Sequence, residues 1–94
     1  MTRRTASFTT PRASSYLQQL CKHFGHKVPV EITPRSGRIE LPFGVCQLAA
    51  RDEVLTLQVE GASPDIARLE KVISDHLARF AFREIPVLDW RAAA

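Results

Sequence analysis

Apolar positions recur along this chain at two spacings, one helical and one alternating. Ala13, Tyr16, Leu17, Leu20, Cys21 and Phe24 stand at i, i+3, i+4, i+7, i+8 and i+11, which is one apolar stripe on a helix. Thr10 is placed to cap that helix and Pro11 to occupy its first turn, where a missing N–H costs nothing; Gly25 is placed to stop it in the left-handed conformation. A second helix opens at "GASPD", with Ser63 as cap, Pro64 at the first position and Asp65 in the first turn, where the helix dipole favours an anion. Its stripe is Ile66, Leu69, Ile73, Leu77 and Phe80, with Val72 and His76 along one margin.

Between and around the helices the period drops to two. "ASFTT" (Ala6 to Thr10) reads as a first strand. "KVPVEIT" points Val28, Val30 and Ile32 one way, and "TPRSG" turns the chain; "RIELPF" then aligns Ile39, Leu41 and Phe43. Pro29 and Pro42 cannot donate to a ladder, so these two strands are expected to meet an edge or a bulge. "GVCQLAA" and "VLTLQV" bring Cys46, Leu48 and Ala50, then Leu55, Leu57 and Val59, onto one face, and the polar turn at Arg51 to Glu53 makes them a hairpin. "IPVLDW" (Ile85 to Trp90) is expected to close the sheet, with a fraying Ala-rich tail behind it.

The order is therefore β-α-β-β-β-β-α-β. Helices with a single stripe must rest on the apolar side of a sheet, which predicts an α+β two-layer sandwich: an antiparallel sheet with both helices on one face. That order is similar to the TATA-binding-protein-like and helix-grip folds, a likeness of architecture that carries no function. At 94 residues the chain is expected to be one domain, with an ordered core from about residue 5 to about residue 90.

Composition adds exclusions. No apolar run approaches the about 18 residues that span a bilayer, so no membrane role is expected. Arg3 and Arg4 have no apolar stretch behind them to form a secretory signal, and the cytoplasm is the expected location. Two cysteines are too few for a disulfide framework, and reduced thiols are expected. The net charge of +3 is uneven: residues 1–47 carry seven Lys/Arg against Glu31 and Glu40, whereas residues 48–94 carry six against eight acids. That asymmetry suits an anionic partner. Nucleic acid is not favoured, because Trp90 is the sole aromatic candidate for a stacking platform on the far side of the sheet.

The densest chemistry is "CKHFGHK", Cys21 to Lys27. On a helix Cys21 and His23 are about 200° apart, so one metal cannot take both. The basic run Lys22, His23, His26 and Lys27 is a candidate site for a small anionic ligand, near a helix C-terminus that favours positive charge. A separate metal or thiol candidate is Cys21 and Cys46 with His76, three groups that the sheet and the two helices could bring together. A third candidate is an interaction surface of Val45, Val54, Leu88 and Trp90, if the last strand turns Leu88 and Trp90 to the far face; a homodimer or a protein partner would use it. No Gly-rich phosphate loop, nucleophile elbow or metal-protease motif is present, so catalysis is not favoured and no cofactor is named.

"SSYLQQLCKHFGHKVPVE", "GRIELPFGVCQL", "VISDHLARFAFRE" and "LDW" together resemble the bacterial family domain of unknown function 2218, from about Ala6 to Trp90. Tyr16, His23, His26, Lys27, Phe43, Gly44, Cys46, His76, Phe80, Arg83 and Trp90 carry the resemblance. It implies a small stand-alone bacterial protein associated with siderophore and iron utilisation, and it supplies no catalytic residue. A non-enzymatic accessory or binding module is the reading it favours, with a metal- or thiol-dependent protein as the alternative.

Overall fold

The computed structural model describes residues 1–84 and 86–93. Its elements are β1 (Thr2–Thr9), α1 (Ala13–Phe24), β2 (Val30–Ile32), β3 (Ser36–Leu41), β4 (Gly44–Arg51), β5 (Val54–Gly61), α2 (Ile66–Phe80) and β6 (Arg91–Ala92), with a single 3-10 turn at Ser63–Asp65 leading into α2. The six strands form one antiparallel sheet in the order β2-β3-β4-β5-β1-β6. This is the expected α+β sandwich with the expected element order. Ile39, Cys46, Leu48, Ala50, Leu55, Leu57 and Val59 point to the side that the stripes of both helices cover, and together they make one core. Leu17, Leu20, Leu69, Ile73 and Leu77 are completely buried in it.

Local chemistry explains where the elements begin and end. Arg51 pairs with Val54, leaving Asp52 and Glu53 as a two-residue hairpin loop in which both residues take positive φ, 51° and 59°. That backbone matches the right-handed twist of the flanking strands. The two helices cross antiparallel: Tyr16 of α1 reaches Glu84 beyond the end of α2, while His23 and Phe24 at the end of α1 meet His76 inside α2.

Several boundaries differ from the sequence reading. β1 starts four residues earlier, at Thr2, because Arg3 and Arg4 have partners on the neighbouring elements: Glu60 across the ladder and Glu70 on α2. Thr10 does not cap α1 directly. Its hydroxyl accepts the Arg12 N–H at 3.1 Å, its own N–H goes to the Glu53 carbonyl at 2.8 Å, and the helix begins at Ala13. Gly25 is right-handed (φ −61°, ψ −16°) rather than left-handed. What it provides is room, since a Cβ there would lie 3.1 Å from the Cys21 carbonyl and from Val30 Cγ2. Ser63 does not cap α2 either, its hydroxyl pairing with Thr2 Oγ1 at 2.6 Å.

The largest correction is at the C-terminus. Pro86 to Trp90 make no strand; the closing strand is Arg91–Ala92, which pairs with Arg4 and Thr5, and the Ala93 N–H continues to the Arg3 carbonyl at 3.2 Å. The tail is therefore a ladder segment. Ile85, which the sequence reading placed at the start of that strand, lies outside the described residues.

Candidate functional site

The antiparallel crossing of α1 and α2 builds a histidine pair. His23 lies seven residues after Tyr16, about 20° from it around the helix, so both point along the seam toward α2. The His23 and His76 rings stand 4.9 Å apart between centroids, tilted by 45°. Aromatic edges hold them: His23 packs against Phe24 and Phe80, and His76 against Phe24. His76 Nδ1 lies 2.7 Å from the Val72 carbonyl. A carbonyl only accepts, so Nδ1 carries the proton and Nε2 is the ring atom left outward.

The field around the pair is positive. The His23 pKa is lowered from the ordinary value of 6.5, first by partial burial and then by the charges of His76, Arg79, His26 and Lys27. Lys22 adds a further cation in the last turn of α1. Among the described residues none of Lys22, Lys27 and Arg79 has a carboxylate at salt-bridge distance; the carboxylate next in sequence, Asp75, is held by Lys71 at 2.9 Å. Of the anion candidate, Lys22 and His23 lie in the last turn of α1 and His26 and Lys27 just beyond it, and α2 adds His76 and Arg79. Sequence reasoning placed His76 with the cysteines; the signal for its true neighbour was that His23 and His76 lie on facing margins of two adjacent helices.

The thiols behave differently. Cys21 and Cys46 are both free and fully buried between α1 and the sheet, near enough that charge on Cys21 would raise the Cys46 pKa. Burial raises both thiols, Cys46 the further, which disfavours a thiolate at either. His76 turns to His23 rather than completing a set with them. Among the described residues no group of three or more His, Cys, Asp or Glu is arranged to hold a metal ion.

The four residues of the proposed interaction surface are dispersed. Val45 and Val54 do lie on the open face, each half-buried, but Val45 pairs with Glu60, six positions along β5 from Val54, or about 20 Å. Leu88 and Trp90 are on the helix side, packed against the core. Trp90 donates its indole N–H to Ser74 Oγ of α2 at 2.9 Å, and its carbonyl accepts from Arg4 at 2.9 Å. Trp90 closes the end of the core.

Two clefts carry no histidine. One, of about 260 Å³, lies between the start of α1 and Arg35 and Arg51, but Asp52 and Glu53 line it too and offset those cations. The other, of about 570 Å³, lies over β2, β3 and β4 and mixes Glu31 with Arg38. No helix among the described residues is long and apolar enough to cross a membrane.

A family model described as an uncharacterized protein conserved in bacteria (DUF2218) matches residues 5–91. The NMR structure of PA4090 from Pseudomonas aeruginosa is similar to this chain, with 34% identity, a TM-score of 0.82 and full coverage of both chains. No curated protein matches significantly.

Proposed function

The chain belongs to the bacterial DUF2218 family, and on that premise we propose that it is a small non-enzymatic accessory protein, acting in the cytoplasm, that binds an anionic ligand at the α1–α2 seam. One observation carries this reading: His23, His26, Lys27, His76 and Arg79 converge on one patch, and no carboxylate among the described residues neutralises its cations. Like charges held together repel one another, and a fold that keeps them so gains from a bound anion. His23 packs against Phe24 and Phe80 and His76 against Phe24, so a ligand there does not have to order those two rings. The association with siderophore utilisation that the family resemblance implies makes a ferric siderophore the first ligand of this class to try.

The test is a titration of the 15N-labelled full chain with citrate and then with ferric siderophores, read by amide shifts. Saturable shifts confined to residues 22–27 and 76–80, weakened severalfold in Lys27→Ala/Arg79→Ala, are the expected result. Shifts centred on Arg35 and Arg51, or none at millimolar ligand, would overturn the reading.

A further inference from the structure

The histidine pair is more than two extra cations in the patch. Resting on the anion-binding reading above, we propose that His23 and His76 form a proton-linked clamp for a small tetrahedral oxyanion, so that binding of the anion draws a proton onto the pair.

His76 Nδ1 is committed to the Val72 carbonyl, so Nε2 faces outward. In the neutral ring Nε2 is an acceptor whose lone pair repels an anionic oxygen; protonation makes it a donor without moving the ring or breaking the Nδ1 bond. His76 therefore offers an anion nothing until it is charged. His23 is 4.9 Å away and stands in the same field. Two adjacent imidazolium rings repel each other at that distance, and Arg79, Lys27 and His26 add to the penalty. An oxyanion at the open edge of the pair reverses the sign of that local field, so that His76 can take up one proton and donate to an anion oxygen while His23 stays neutral and donates its own N–H.

Among the described residues no nearby carboxylate does the anion's work. From the loop after α1 the groups facing the pair are His26 and Lys27; from α2 they are Arg79 and the hydrocarbon of Phe80. Asp75 is held by Lys71, Glu84 beyond α2 is occupied by Tyr16, and Glu31 of β2 lies on the opposite side of the sheet from the inward-facing Val30. The proton balance is simple: one proton from solvent moves to an imidazole nitrogen for each anion bound, and leaves when the anion does.

Inorganic sulfate is the discriminating probe, because its own charge does not change across the histidine range. Uptake of one proton per anion makes sulfate affinity rise about tenfold for each unit the pH falls. We expect the full chain to show this between about pH 7.5 and about pH 5.5, read by amide shifts at residues 22–27 and 76–80. Calorimetry in two buffers of different ionisation enthalpy should show the matching proton uptake. His76→Gln, whose side chain keeps a neutral donor and leaves the core stripe intact, should flatten the dependence to less than about twofold per unit; His23→Gln should weaken sulfate binding but keep the slope, and His26→Gln should leave it steep. Sulfate binding that is pH-independent, yet lost in Lys27→Ala/Arg79→Ala, would overturn the clamp and leave the anion patch standing. No sulfate binding at either pH would remove both.

Discussion

At the scale of single residues, the contact that decides the packing of α1 is one with no side chain on one partner. The sequence reading left Gly37 in a turn, but it lies in β3 opposite Leu48, where a Cβ would come within 2.6 Å of Cys21 Sγ and 3.3 Å of Leu17 Cδ2. The thiol is a small hydrophobe that fits the space, which is the physical reason a cysteine sits in the stripe. Gly37→Ala should cost about 1–3 kcal/mol by overpacking, measured by urea denaturation, and Cys21→Ala in that background should recover part of the loss. Equal losses in the single and double variants would refute the contact. His23 makes a second prediction at this scale. Folding lowers its pKa from 6.5, so the unfolded chain binds more protons as pH falls through the histidine range, and the protein loses stability on acidification from about pH 7 toward the folded value. His23→Gln should flatten that slope. A slope unchanged in the variant would assign it elsewhere, for instance to the carboxylate of Glu84, whose pKa the Tyr16 hydroxyl lowers and whose loss of stability comes at lower pH.

Among the elements, what could be read from the chain was what repeats. Both helix stripes and the β4–β5 hairpin were legible because each rests on several apolar residues at one period, and a misjudged end does not change the pattern. The closing strand was not, for a reason visible at Trp90. "IPVLDW" alternates as a strand does, yet Leu88 and Trp90 plug the core end, and the ladder falls to Arg91 and Ala92, two residues too few to show any period. The anchor of that segment is the indole bond to Ser74; Trp90→Phe keeps the ring and should cost about 1 kcal/mol, with earlier exchange of the Ala93 amide. The Asp52–Glu53 turn carries the opposite prediction. Glu53 at φ 59° accepts a backbone conformation that glycine adopts freely, and its only described partner is through its carbonyl, to Thr10. Glu53→Gly should therefore raise stability by about 1 kcal/mol, and a lower melting midpoint would show that the Glu53 side chain matters more than its backbone.

For the molecule as a whole, the uneven charge of the chain is redistributed by the fold rather than simply cancelled. Part of the asymmetry is absorbed where β1 is stitched into the sheet, because Arg3 and Arg4 from the basic half meet Glu60 and Glu70 from the acidic half. This was invisible in the sequence, since those partners are 57 and 66 residues away. Lys22, Lys27 and Arg79, none of them in a salt bridge among the described residues, gather where α1 ends against α2, and an anion approaching the protein should feel that patch and not a diffuse positive half. The two cases separate by salt. Raising sodium chloride from about 20 mM to about 300 mM shortens the screening length from roughly 20 Å to roughly 6 Å, and sulfate affinity should fall severalfold in the wild type. Lys27→Ala/Arg79→Ala should start weaker and lose proportionately less, while Arg3→Ala, whose charge is already met by Glu60, should follow the wild type at every salt concentration. An Arg3→Ala protein as impaired as the double variant would mean that overall charge attracts the anion and that the seam has no special claim on it.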